Sequence, residues 1–564
     1  MRDRIAVLLL ALLGGGAATL ALATVSRPAT QAASQVIYVA ADCSSAPRPC
    51  YNYIQTAIIV ADPGDEIHIA GGVYTDYANY VARVDKPLTL RGGYSSDFSS
   101  RDPDAYPTII DAEGERRAVY VGKYTGETIT VTLDGLHLIN GDADGLGGEE
   151  YNSNDVGGGL YASHAVLHVE NCHIAHNRAD QGAGIYFTSV DAVISGTRIY
   201  SNTAALISGG GIYHWSGLKD GLTFQNTVIS GNAAASMGGG GYLVGPVTMS
   251  DSLVYGNTAA WAGGGLLAWG EFTLTGSQIL HNSGIGLSCW NCLARMSNNV
   301  FASNYGTGLA VSGIAVTLLH TTIADNEGTG LWVSNSGQFD GLVTATNTII
   351  AGNVTGVSVE GGATATLDAT LWWDNDEDTA VGSTGREHLD TGTHNYTADP
   401  AFADADGDDY HLRPTSPAID RGLDVGVSHD LDGDPRPWGA APDLGADEYW
   451  PLPPSRVVIA GPLFGLTNSP VLLVATVSPA TAMLPITYTW QATGQTPVTH
   501  VVSDITDRVA FTWGVTGTNF YPVTGTKHIT VTASNGYGTA QGHHTLTVKP
   551  GRSRVYLPLV VRGG

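Results

Sequence analysis

The chain has 564 residues, of which 73 are Gly and only 14% are charged, a composition that suits stacked strands and tight turns and argues against a helical architecture. Acidic residues outnumber basic ones 52 to 26, for a formal charge of −26. The phosphate attraction behind nucleic-acid binding is therefore reversed in sign, and no nucleic-acid partner is expected.

In chain order, Met1-Arg2-Asp3-Arg4 precedes an apolar run from Ile5 to about Leu22 and the small-residue site Ala21-Leu22-Ala23, the pattern of a secretory signal over 1–33. The run is also long enough for an uncleaved anchor, and signal or anchor is the only route to a membrane. Val36 to Val39 reads as a strand. Asn52 to Ala61 has helical spacing, with Ile54, Ala57 and Ile58 on one side, before Asp62-Pro63-Gly64-Asp65 breaks it. Such a helix would lie across the open end of a strand stack and hide its edges. Cys43 and Cys50 enclose a short Pro-containing loop and are expected to form a disulfide. The run Tyr53 to Ile58, then Pro63 to Ile67, then Gly71 to Tyr74, is similar to the opening of secreted pectin-lyase-like β-helices. That resemblance implies a cap, over 36–64, that carries no chemistry.

Early strands follow at 88–90, 108–110, 118–121 and 129–133. A repeat then takes over. Asn177, Asn202, Asn232, Asn257, Asn282, Asn304, Asn326, Asn353 and Asn375 recur every 22 to 30 residues. Three residues before each stands Ile174, Ile199, Ile229, Val254, Ile279, Phe301, Ile323, Ile350 or Trp372, and a second apolar column stands eight before, from Val169 to Leu367. Five before, the residue is small or polar, from Cys172 to Thr370, so Cys172 is expected as a buried core thiol. This period without helical spacing predicts a parallel β-helix, with the Asn column as a side-chain ladder in a turn. Ser230 to Ala233 followed by Gly239 to Tyr242 resembles the repeats of bacterial polymorphic outer-membrane and related right-handed β-helix proteins, which implies architecture far more than activity.

The fold class expected is all-β: a right-handed parallel β-helix over 36–449, with regular coils over 129–378, followed by a small β-sandwich. The first coil in register ends at Gly141, where the ladder Asn is missing. The loop 141–156, with Asp142, Asp144, Glu149, Glu150 and Asp155, is either a solvated acidic loop or a calcium loop. Cys289 and Cys292 lack the partner pair or thioredoxin-like context that redox or zinc chemistry needs, and a small local disulfide is expected.

Beyond Asn375 the register stops. Asp399 to Phe402, Asp409 to Leu412, Ser416 to Asp420, Asp430 to Gly433 and Asp443 to Tyr449 resemble the closing segment, here 395–449, of bacterial surface β-helix proteins of the choice-of-anchor Q type. The resemblance implies a surface protein. Asp404, Asp406, Asp408 and Asp430, Asp432, Asp434 alternate as calcium ligands do, yet neither run has the Glu that completes a twelve-residue hand. Calcium ligation and plain turn formation both stand, and no other cofactor is indicated. A linker at 450–456 precedes alternating strands over 457–548, with a hairpin turn at Asn535-Gly536. This module looks like a PKD or related immunoglobulin-like sandwich. In the tail, 549–564, Val555 to Arg562 resembles a short C-terminal motif of secreted bacterial proteins, a sorting signal or an edge strand.

Three functions compete: a carbohydrate-binding or adhesive surface protein, an extracellular polysaccharide lyase or glycosidase with or without calcium, and a structural stalk. Between Val166 and Asn375 the only cations are Arg178, Arg198, Lys219 and Arg295, at different places on the repeat, and no acid pair is framed by it. That favours the non-catalytic reading, with an extracellular or cell-wall polysaccharide or a surface receptor as partner. If Leu160, Ile185, Ile212, Leu266 and Leu331 point inward, then Tyr161, Tyr186, Tyr213, Leu267 and Trp332 point outward, with Tyr242 beside them. The five aromatic residues are the expected glycan-stacking stripe.

Overall fold

The computed structural model describes residues 34–75, 79–123, 127–148, 154–216, 220–337, 339–450, 452–514 and 523–551. The expected signal segment, Glu149, Glu150, Lys219 and the Val555 to Arg562 motif lie outside them.

The strands wind into a right-handed parallel β-helix of about 13 turns. Each ladder coil contributes to three parallel sheets. Sheet 1 stacks 160–163, 185–188, Ile212–Trp215 and Gly241–Val244; sheet 2 stacks 165–170, 192–195, Leu222–Gln225 and Val247–Ser250; sheet 3 stacks His173–Ala175, Arg198–Tyr200, Val228–Ser230 and Leu253–Tyr255. No coil could bury its own apolar residues. Stacking places Ile199 against Ile174 and Ile229, and Phe224 against Ile194 and Met249, in one continuous core. The helix Ile54–Val60 buries Ile54, Ala57 and Ile58 against the first strands.

The asparagines form an unbroken hydrogen-bonded column. From Asn177 to Asn353, each Nδ2 donates to Oδ1 of the next Asn at 2.9–3.1 Å, and each backbone N–H donates to the same oxygen. Nδ2 also donates to a carbonyl of the preceding coil, as Asn232 does to Ile199. The left-handed conformation belongs to the residue before: His176, Ser201, His281, Ser303, Asp325 and Asp374 all have φ of 50–58°. Asn is therefore present for its side chain, which closes buried backbone groups that no water reaches. At Gly141 the backbone N–H alone donates to Asn177 Oδ1 (2.7 Å), and a Cβ there would meet the Gly158 oxygen at 1.9 Å, which explains the missing Asn. A second polar column runs through Cys172, Thr197, Thr227, Ser252, Ser277 and Asn299; Cys172 is a buried free thiol.

Cys43 and Cys50 are bonded, with Cα atoms 5.8 Å apart. Cys289 and Cys292 are not, which corrects the expectation of a second disulfide. Cys289 is an inward position in register with Ala268 and Val311. The left-handed Asn291 turns the chain so that Cys292 also points inward, its thiol donating to the Ala268 carbonyl at 3.3 Å. Both are core side chains.

The closing segment folds back along the outer face of sheet 3. Leu412, Ala418 and Leu444 pack on Ile349, Ala351 and Leu371, and Tyr410 and Ala446 pack on Leu280, Val300 and Ala302. His281 pairs with Asp408 (2.6 Å), and Tyr410 donates to Asp325 (3.0 Å). The C-terminal module is a sandwich of a three-stranded and a five-stranded sheet around Tyr488, Trp490 and Trp513. No helix among the described residues is long and apolar enough to cross a membrane.

Candidate functional site

Strand parity in sheet 1 runs as expected: Leu160, Ile185, Ile212, Leu266 and Leu331 are fully buried inward, and the next residues share the opposite face. Tyr242 is in register with Tyr213 and Leu267. The face is nevertheless not a sugar platform. Tyr120, Tyr161, Tyr186, Tyr213 and Tyr242 stack ring on ring, with centroids 4.9–5.8 Å apart and planes within 20°. Their ring faces point along the coil axis and are occupied by one another. Val156 packs on the column, and the Arg117 guanidinium sits 5.3 Å from the Tyr161 ring. Tyr161, Tyr186 and Tyr213 are only 4–7% exposed. The glycan-stacking assignment of these three is corrected accordingly, since a sugar needs an open ring face. Tyr242 at the end of the stack and Trp332, farther down the same column, are half-buried.

Two residues farther along the same strands lies an open aromatic column. Trp215, Val244, Trp269 and Trp290 stand in register on successive coils, outward by the same parity. Trp215 is 51% and Trp269 40% exposed, Trp290 is half-buried, and Leu293 beyond the corner is 55% exposed. Glu271 and Arg295 are exposed beside it on sheet 2. The signal was present in the sequence as an aromatic three residues after the inward Ile212, Leu266 and Leu287.

The arginines of the ladder region occupy separate columns: Arg178 in a short fourth sheet, where it pairs with Asp142 (3.2 Å), Arg198 in sheet 3 and Arg295 in sheet 2. They form no common cationic site. In the 141–156 loop, Asp155 accepts the backbone N–H groups of Gly145 and Gly147, so this carboxylate is used by the loop itself.

The aspartates of the two expected calcium runs are placed differently from one another. Asp430 is buried and saturated: Oδ1 accepts the N–H groups of Asp432 and Asp434, and Oδ2 that of Glu448. It is a turn former. Asp404 precedes the single turn Ala405–Gly407, Asp406 lies within it, and Asp408 is engaged by His281. Asp432 and Asp434 instead line a cavity of about 290 Å³ with Asp409, His411, Asp447 and Tyr449. His411 lies between Asp409 (2.5 Å) and Asp432 (2.7 Å), whose hydrogen bonds hold its pKa up at about 11, while Asp432 is lowered by the same contact. Burial pushes Asp447 up to about 7 and Asp443 to about 8. The Arg436–Glu448 pair (2.8 Å) is fully buried beneath. His411, Asp432 and Asp447 bring ligand atoms within 4.8 Å of one another, the only such group among the described residues. Sequence spacing missed it because its members come from three separate stretches.

No match was found among curated proteins or among solved structures. The family model described as "Right handed beta helix region" matches residues 158–342 and 247–386, so the coils that carry the asparagine column, the tryptophan column and the tyrosine column from Tyr161 onward are similar to that family.

Proposed function

We propose that this is a secreted or cell-surface β-helix protein that binds an extended, uncharged polysaccharide without catalysis, and that the exposed tryptophan column Trp215, Trp269 and Trp290 is the contact face. The observation that carries the reading is that Trp269 and Trp290 stand in register on adjacent coils about 4.8 Å apart, a spacing comparable with one sugar ring, with Trp215 two coils from Trp269 across Val244, while the tyrosine rings beside them are closed. The charge of −26 disfavours polyanionic glycans, and of the ladder arginines only Arg295 stands beside the column, which is too little to neutralise a row of uronates. The apolar leader and the Cys43–Cys50 bond support an extracytoplasmic address.

The test is retention of the Trp269→Ala, Trp290→Ala double variant on neutral insoluble glucans and mannans, with Tyr186→Phe as control. Weakening by at least about tenfold, with melting unchanged, is expected. Equal retention of wild type and double variant would remove the column from any glycan role.

A further inference from the structure

We propose that the cavity between the closing segment and the sandwich holds one divalent transition-metal ion, of the zinc class, on His411, Asp432 and Asp447. The site is independent of the tryptophan face. Its three donors are held separately. Asp447 Oδ2 is held by the Leu412 N–H (2.7 Å), and the turn carrying Asp432 by the saturated Asp430. His411 Nδ1–H donates to Asp409 Oδ1 at 2.5 Å, which directs Nε2 toward Asp432 Oδ2, 2.7 Å away. A carboxylate behind an imidazole is the outer-shell arrangement that orients a metal-binding histidine.

A second observation points to a ligand. Tyr449 lines the same cavity, is 91% buried, and its hydroxyl has no hydrogen-bond partner among the described residues. A polar atom taken out of water without a partner is costly, and an ion with its waters would supply one. The opposite wall comes from Leu452, Pro479, Ala480 and Thr481 of the linker and sandwich, so the ion would sit where the two parts of the chain meet. An imidazole with two carboxylates is a donor set for zinc-like ions, whereas calcium takes six to eight oxygens. On binding, the Nε2 proton leaves to solvent as the nitrogen lone pair turns to the ion.

The experiment uses the untagged full chain, stripped with chelator and titrated calorimetrically with Zn²⁺ or Ca²⁺, with melting followed in parallel. One Zn²⁺ per chain is expected, at least about tenfold tighter than Ca²⁺, together with a rise in melting temperature. Asp432→Asn, whose side chain is 53% exposed, should weaken Zn²⁺ by about tenfold or more, as should His411→Gln. Asp409→Asn should weaken it less. Zn²⁺ binding that ignores these substitutions is adventitious and would overturn the site. Tighter Ca²⁺ than Zn²⁺ would overturn the ion class, and the absence of saturable binding would overturn both.

Discussion

The early ladder coils, up to Asn257, and the late ones, from Asn282, share the same inner columns yet differ in what covers them. Early ladder residues are mostly 25 apart, and the turns after them carry an extra short sheet, Arg178–Ala179, Thr203–Ala204, Ala233–Ala234 and Thr258–Ala259, over an alanine cluster. Asn282, Asn304 and Asn326 are only 22 apart. Conversely, the outer face of sheet 3 is polar or open in the early coils, at Arg198, Tyr200 and Ser230, and apolar in the late ones, at Val300, Ala302, Ile349 and Leu371, where the closing segment lies on it. The repeat dictates the interior, and the outward residues report the cover.

The sharpest way to break this contrast is to place one charge at equivalent outer positions of sheet 3. Val228, Leu253, Gln278 and Val300 are successive register partners. Val228 is half-buried in an early coil, whereas Val300 is 1% exposed beneath the closing segment. Val300→Asp should cost several kcal/mol, roughly 3 or more, because an unpaired carboxylate is buried, and Val228→Asp less than about 1. Urea denaturation of the two variants side by side checks it. Equal destabilisation would mean that the closing segment does not shield sheet 3.

The ladder gives a smaller and more graded effect. Asn257→Ala leaves the Asn232 N–H and Nδ2 without their acceptor and the Ile229 carbonyl without a donor, a loss of about 1–3 kcal/mol. Asn375→Ala, at the partly exposed end, should cost below about 1 kcal/mol, since water can replace Nδ2 and Oδ1 there. Proteolytic susceptibility measured across the coil gives the check, and equal susceptibility would show that the column does not act cooperatively.

The interior was legible because its period is fixed: Asn, Ile and Thr columns keep step over nine repeats, and strand parity followed from them. The exposure of an outward residue was not. Tyr186 and Trp215 share one face of sheet 1, but whether a ring is covered depends on neighbouring rings and on turn trajectories, which parity does not encode. Cys292 escaped because a left-handed Asn291 reset the alternation. The closing segment left a readable trace in triplets apolar on both sides, such as Ile349-Ile350-Ala351 against Arg198-Ile199-Tyr200, the pattern of a strand covered on two faces. Its metal-ligating group left none, because His411, Asp432 and Asp447 meet only after the fold-back.

A pH effect also distinguishes the covered coils from the open ones. His320 is fully buried between a late coil and the closing segment: Nδ1–H donates to the Asp443 carbonyl (3.1 Å), and Nε2 accepts from Asn347 Nδ2 (2.8 Å). Burial, and the Arg436 charge nearby, lower its pKa to about 3. A histidine whose folded pKa is depressed contributes nothing adverse above its unfolded value near 6.5 and destabilises the fold as pH falls from there toward 3, by about 1 kcal/mol at roughly pH 5.5. Asp443 acts in the opposite sense. Its pKa, raised to about 8, makes the fold gain stability as pH falls from 8 toward 4. The two are separated by His320→Gln, which keeps a donor for the carbonyl but cannot be protonated: its urea midpoint should lie below that of wild type at pH 7.5 and close on it by pH 5.5. Parallel midpoints at both values would show that the acid sensitivity lies elsewhere.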